Sequence, residues 1–398
     1  MRNLIRIALP CAAMLILGCL FASASAPSKH VQRGMDCLRS GDAERAQYEL
    51  LSINSRPQYE VQACLLRVWL SLRSSVSNQA ALQNIAWDEL RYAAEDREYQ
   101  ALALALMGQA AYEAERLSDA LNFLEGSLKA DPGEVEAHRW LGAIYYDIGL
   151  ADQAMQELQY VARRERANAG VHHLMGLILR ERGEYAAAAE AYRESLTRQP
   201  NRPEATETRI DLGGCLLKMH QYDEVLAAIA DCPDSPEVLL MRADCYAGQG
   251  KINLAMETVD AVLALDAENP SALSVKAAIL RAEGDVKTAI PLLAHAVALR
   301  PNDYALRYRL VSAYREAGED RLADDAAVGM EDLRRRLDRY HALVERAGAD
   351  AADAKLRYEI ASLARELGMG ETADNWLKAA HLLEHADLRP WLRANPTP

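Results

Sequence analysis

Two histidines near the C-terminus have a spacing that zinc sites use. His381 and His385 lie four residues apart in the segment HLLEH, so a helix would place both imidazoles on one face. With Glu384 beside them, this segment could serve a metal-dependent hydrolase. Such an enzyme needs a further carboxylate ligand well downstream, and only 13 residues follow His385. We expect a solvent-facing helix end here, with hydrolysis as a remote alternative.

A second segment, from Gly368 to Ala373, has the letters G-x-G-x-x-A of a dinucleotide-binding turn. That turn must follow a strand and open a helix, whereas a helical pattern precedes this segment. The sequence contains no G-x-x-x-x-G-K-[ST] phosphate loop and no G-x-S-x-G nucleophile turn. Catalysis needs a base, an orienting group and a pocket in one place. We find no such set and predict a non-enzymatic protein with no cofactor and no metal site.

The cysteines give no sign of a metal or redox motif, because no C-x-x-C pair occurs. Five cysteines remain beyond the N-terminal segment, an odd number, so at least one must be unpaired within the chain. We expect these cysteines to be buried packing residues, and the alternative is one disulfide among Cys215, Cys232 and Cys245. The five are Cys37 and Cys64, and then Cys215, Cys232 and Cys245.

The N-terminal 24 residues predict export. Arg2 and Arg6 precede an uncharged apolar stretch of the length typical of a signal peptide. The letters from Ile16 to Cys19 resemble a lipobox, which would make Cys19 the lipidated first residue of the mature chain. The alternative is cleavage before Ser25, after an A-x-A site. We therefore predict an exported protein, either periplasmic or a membrane-anchored lipoprotein.

Composition narrows the remaining possibilities. The chain has 398 residues, a formal net charge of −13, 50% hydrophobic residues and only 2 Phe. This acidic balance argues against a nucleic-acid partner, since phosphate binding requires a basic face. A small residue also recurs along the chain, and many of its spacings are 34 residues. The recurring positions are Ala46, Ala120, Ala154, Ala188, Val225, Ala255, Ala289, Ala323 and Ala373.

This pattern resembles the tetratricopeptide repeat, a 34-residue helix-turn-helix unit. Leu141-Gly142 with Tyr145, Ala154 and Leu158 follows the family pattern well. Glycines at the ends of first helices predict left-handed turns, and His220 stands at one such place. The resemblance implies an all-α, right-handed superhelical solenoid of about nine to ten helix pairs, whose stacking buries a continuous core.

We predict six segments along the chain. After the signal peptide at 1–24, divergent N-terminal pairs occupy 25–100 and the regular array occupies 101–328. Residues 329–352 are expected to extend one second helix into an Arg-rich arm and linker; the arginines either form an ordinary solvated helix face or dock another chain. A C-terminal repeat fills 353–386, and a short tail fills 387–398.

In this family the first helices line a groove that usually receives peptide ligands. The resemblance therefore implies that three places on each first helix face such a groove in this chain. Tyr and Arg, both favoured at binding hot spots, recur at these places. The triplets Tyr308/Ser312/Arg315 and Tyr358/Ser362/Arg365 are chemically the same. The other candidates are Tyr112, Arg139, Tyr146, His173, Arg180 and Arg281. An ordinary solvated helix end is the alternative reading of the Arg positions. The Lys/Asn pair with which some relatives hold acidic C-termini is absent.

These observations favour an exported scaffold that binds a protein or peptide segment in its groove. A structural subunit of a cell-envelope assembly, using its convex face and the Arg-rich arm, is the alternative. The sequence identifies neither the partner nor the oligomeric state.

Overall fold

The structure is a computed structural model that describes residues 29–37, 42–54, 56–74, 87–165, 168–200, 205–350 and 353–384. These ranges contain 20 α-helices, which confirms the predicted all-α class. Consecutive helices pack as antiparallel pairs joined by tight turns. The chain divides into two compact units, Met1–Leu141 and Gly142–Pro398.

The first unit begins with a helical segment at 29–37 and is built around large apolar side chains. Leu65, Leu66, Trp69 and Leu106 are all buried in one cluster that spans its helices. The helices of this unit are α1 (Ala43–Ile53), α2 (Glu60–Ser74), α3 (Trp87–Ala94), α4 (Gln100–Glu113), α5 (Leu117–Ala130) and the start of α6 (Val135–Asp147).

The second unit contains the regular pairs. Its helices after α6 are α7 (Ala151–Arg164), α8 (Ala169–Glu181), α9 (Tyr185–Arg198), α10 (Ala205–Lys218), α11 (Tyr222–Ala228), α12 (Pro236–Gly248), α13 (Ile252–Leu265), α14 (Pro270–Ala282), α15 (Val286–Leu299), α16 (Tyr304–Glu316), α17 (Asp320–Ala327), α18 (Met330–Ala349), α19 (Ala354–Glu366) and α20 (Gly370–Glu384). Each even-numbered helix from α6 to α16 is the first helix of a pair, and α19 is the first helix of the last pair.

Small residues lie where the two helices of a pair cross, as the repeat predicts. A Cβ atom added to Gly142 would lie 2.9 Å from Leu158, and one added to Gly176 would lie 2.5 Å from the Tyr192 ring. These contacts leave no space for a larger side chain, so the glycines set the approach of the helices. The turns also follow the prediction, since Gly183 has a φ of 75° and His220, at the equivalent place, has a φ of 59°. The left-handed conformation is costly for His but not for Gly.

The predicted extension of a second helix at 329–352 is wrong. Helix α17 ends at Ala327, and Gly329 takes a left-handed φ of 85° before α18 begins at Met330. Gly329 therefore separates two helices instead of continuing one. Helix α18 is also not a projecting arm, because one of its faces is buried in a cluster with α19. The buried residues of that face are Leu333, Tyr340, Leu343 and Ala347.

The structure contains a contact between distant parts of the second unit that the repeat pattern does not predict. We call it the return contact, and it joins the α6–α7 turn to α19 and α20. The Trp376 ring lies against Gly149, and Lys378 Nζ donates to Asp147 at 2.9 Å. Arg357, which is fully buried, donates to the carbonyl oxygen of Ile148 at 3.1 Å. The last helix pair is thus held to residues more than 200 positions earlier.

The five cysteines in the described ranges are buried thiols, as expected for packing residues, and the alternative of a disulfide is not observed there. Burial raises the pKa of Cys64 and of Cys245 to about 12. Across the described helices, none combines the length and the apolar character required to span a bilayer.

Candidate functional site

Side chains of neighbouring first helices bond to one another at several places in the second unit. We call the side of the first helices formed by the C-terminal part of α6 and by α8, α10, α12, α14 and α16 the first-helix face. At its start, the Tyr146 hydroxyl donates to Glu181 at 2.8 Å. Burial, reinforced by the charge of Glu181, raises the pKa of Tyr146, and burial raises the pKa of Glu181. The phenol is therefore a fixed hydrogen-bond donor.

The next step of this face joins α8 to α10. His173 Nδ1 lies 2.8 Å from Thr208 Oγ1, and its ring packs 5.6 Å from that of Tyr192. Arg180 forms an ion pair with Asp211. Burial raises the pKa of Asp211, although the Arg180 charge opposes this shift. Two predicted groove residues are thus already engaged by the neighbouring repeat.

Helices α14 and α16 are joined in the same way. Arg281 donates to Ser312 at 3.1 Å and to Glu316 at 2.8 Å. Arg309 donates to Ser274 at 2.6 Å. Because acidic and hydroxyl partners accept from these guanidinium groups, the face is less basic than the Arg positions alone suggest.

Tyr308 and Arg315 differ from the other candidates. The Tyr308 side chain is 61% exposed, and Arg315 is exposed as well. Both lie on α16, within four residues of Ser312 and on the same helical side. Of the predicted positions on the first helices from α6 to α16, all of which the structure describes, these two are the exposed ones.

The two candidates in the first unit lie in a half-buried setting. Tyr112 packs its ring 6.2 Å from that of Trp140. Arg139 forms an ion pair with Glu136, which also accepts from Trp140 Nε1 at 3.1 Å. These contacts explain the side-chain orientations without a ligand.

The last predicted triplet lines a cleft of about 410 Å³. Tyr358 donates to Glu384 at 2.7 Å, and Arg365 donates to Asp374 at 2.7 Å. Both pairs join α19 to α20, so they belong to one helix pair instead of bridging two repeats. The other lining residues are Ala361, Ser362, Glu366 and Leu377.

Comparison with known families agrees with the paired helices. One tetratricopeptide repeat model matches residues 111–178 and 280–347, and a second matches residues 173–224. The matched segments of this chain are tetratricopeptide repeats. Proteins of this family typically mediate protein–protein interactions and are usually not enzymes. No curated protein matches the sequence.

Solved structures of similar fold are remote from this repeat protein. YrrB, a tetratricopeptide repeat protein with an unusual peptide-binding site, is 15% identical over 46% of this chain and 94% of its own, with a TM-score of 0.39. PilF of Pseudomonas aeruginosa is 20% identical over 52% and 94%, with a TM-score of 0.38. The Cut9–Hcn1 assembly of the APC/C is 17% identical over 89% and 69%, with a TM-score of 0.40. At these values they say nothing about the partner of this chain.

The predicted HLLEH segment lies at the end of the described residues. His381 lies on α20 with its ring 5.6 Å from Tyr358, and Glu384 accepts from Tyr358. His385, the second member of the predicted zinc pair, lies outside the described residues, and so do Cys19 and the signal segment.

Helix α18, which holds the arginines of the predicted Arg-rich arm, forms ion pairs with neighbouring side chains. Arg336 pairs with Asp332 one turn away, and Arg339 pairs with Glu359 of α19. Arg334 lies 3.5 Å from Glu331. Together with the buried opposite face of α18, these pairs describe a solvated helix surface.

Proposed function

We propose that this tetratricopeptide repeat protein is a non-enzymatic scaffold that binds a protein segment on its first-helix face. The observation that carries the proposal is the exposure of Tyr308 and Arg315 on α16. Neighbouring polar side chains of this face are held by internal hydrogen bonds. A partner would therefore meet a fixed polar surface with one open aromatic ring and one open guanidinium group.

The chemistry of these two side chains defines the partner segment. An aromatic ring gives a large contact area at low cost in conformational entropy, and Tyr and Arg are enriched at binding hot spots. Arg315 can hold a carboxylate through two parallel hydrogen bonds. We infer a segment that presents an apolar side chain to Tyr308 and a carboxylate to Arg315.

The proposal includes export. The N-terminal 24 residues have the basic, apolar and small-residue regions of a signal peptide, and Cys19 is the candidate for lipidation. The scaffold would then act in the periplasm or at a membrane, held there by the lipid.

A photo-crosslinking amino acid at position 308 tests the binding proposal directly. We expect it to capture a protein from native envelope extract, and the capture should fall at least about ten-fold when Arg315→Ala is added. The matched control places the same amino acid at Tyr48, which is 64% exposed on α1. Equal capture of the same proteins from both positions would contradict the proposal.

A further inference from the structure

Three potential metal ligands meet on the first-helix face between α8 and α10. They are His173 from one repeat, and Glu207 and Asp211 from the next. One ligand atom of each lies within 4.8 Å of the others. Glu207 and Asp211 are four residues apart on α10, which places both carboxylates on the same helical side. The stacking of two repeats therefore assembles a His/Glu/Asp cluster that no sequence motif announces.

One oxygen of this cluster lacks a partner. Asp211 Oδ1 is bound by Arg180, but Asp211 Oδ2 is buried without any hydrogen bond. Buried carboxylate oxygens are normally satisfied, and leaving one unsatisfied is costly. His173 Nε2, another ligand atom of the cluster, lies 3.9 Å from Asp211 Oδ2. That separation is too long for a hydrogen bond.

The orientation of His173 suits a ligand. Thr208 Oγ1 lies 2.8 Å from Nδ1, so the imidazole can donate there and direct the lone pair of Nε2 toward Asp211. Metal-binding histidines are usually fixed through the other ring nitrogen in this way. A cation between Nε2 and Oδ2 would satisfy the Asp211 oxygen, because zinc bonds of about 2.0–2.2 Å to each atom place two ligands about 3–4 Å apart.

We propose that His173, Glu207 and Asp211 bind a divalent transition-metal ion of the zinc class. The imidazole favours such an ion over calcium or magnesium, which prefer oxygen ligands. The two carboxylates outweigh the Arg180 charge and leave the cluster net negative. Three protein ligands leave a fourth position for water or for a side chain of a bound partner. The metal would connect α8 to α10 and fix two repeats relative to each other.

The test titrates zinc alone into the chelator-treated full chain and follows binding by calorimetry. We expect a tight site with a stoichiometry of one. Glu207→Gln should weaken it at least about ten-fold, and Thr208→Ala should weaken it about ten-fold through loss of the orienting hydrogen bond. Glu207 is exposed, so its replacement should leave the fold intact, which circular dichroism checks.

The matched control is His295→Ala. His295 Nε2 also lies 3.9 Å from a carboxylate, that of Glu268, but both side chains are exposed and they form a pair, not a cluster of three. This variant should bind zinc as the wild type does, whereas His173→Ala should lose the tight site. Absence of tight zinc binding by the wild type would overturn the proposal and leave a His173–Asp211 ion pair. So would equal losses in His173→Ala and His295→Ala.

Discussion

Replacement of Arg357 by Met tests whether the return contact stabilises the second unit. The guanidinium group is fully buried and donates to four carbonyl oxygens, those of Ile148, Ala347, Asp350 and Asp353. Three of these carbonyls belong to the end of α18 and the turn into α19, and the fourth follows α6. Met keeps much of the volume and removes every donor, so the variant isolates the hydrogen bonds.

Two opposing effects decide the result. Hydrogen bonds from a charged donor contribute about 1.5 kcal/mol each at the low end, so four of them contribute roughly 6 kcal/mol. Burial disfavours the charge and lowers the pKa of Arg357 to about 10. Because this pKa is lower than in the unfolded chain, the folded state carries a cost below about pH 10, which amounts to roughly 3 kcal/mol. Removal of the charge recovers that cost, and the net loss is about 3 kcal/mol.

Chemical denaturation followed by circular dichroism measures this loss, and hydrogen exchange shows where it acts. We expect faster exchange in α19 and α20, since the return contact holds this pair. Arg365→Met is the matched control, because Arg365 lies on the same helix with an exposed ion pair to Asp374 and should change stability by less than about 1 kcal/mol. An Arg357→Met variant as stable as the wild type would refute the reasoning, since it would show that the carbonyls do not depend on Arg357.

Three further predictions concern the crossings, the thiols and the N-terminus. Gly176→Ala should destabilise the protein by about 1–3 kcal/mol because its Cβ would lie 2.5 Å from an aromatic ring, whereas Gly214→Ala, with its nearest contact at 3.9 Å, should be neutral or stabilising in the same denaturation assay. Cys64 and Cys245, whose pKa values burial raises to about 12, should resist alkylation at pH 8 because little thiolate forms, and should react once denaturant exposes them; rapid labelling of the native chain would contradict this. Metabolic labelling with palmitate should mark the wild type and not Cys19→Ser, and equal labelling of both would exclude lipidation at that residue.

Local features of the repeat could be predicted from the sequence because short-range rules determine them. Gly142 and Gly176 lie at helix crossings, and Gly183 takes the left-handed turn expected of it. The strained turn at His220 also followed from its place in the repeat. The sequence does not indicate the break at Gly329, since the charged amphipathic pattern continues through it and only the glycine itself marks the boundary.

Long-range features could not be predicted, because the spacing of a repeat describes only neighbouring helices. The contact of Trp376 with Gly149 joins residues far apart in the chain, and so does the hydrogen bond from Arg357 to the carbonyl oxygen of Ile148. Trp376 and Arg357 are unusual residues for a repeat of this kind, but the sequence does not show which residues they contact. The register identified His173 and Arg180 as groove residues, but their bonds to α10 appear only once the helices are stacked.

The central claim is that a protein segment binds the first-helix face at Tyr308 and Arg315. The most direct test measures the affinity of a captured partner for two double variants of this protein. Tyr308→Ala with Arg315→Ala should weaken binding at least about 100-fold. Tyr48→Ala with Arg334→Ala replaces a Tyr and an Arg of comparable exposure elsewhere and should bind as the wild type does. Equal affinity of both double variants for the partner would contradict the claim.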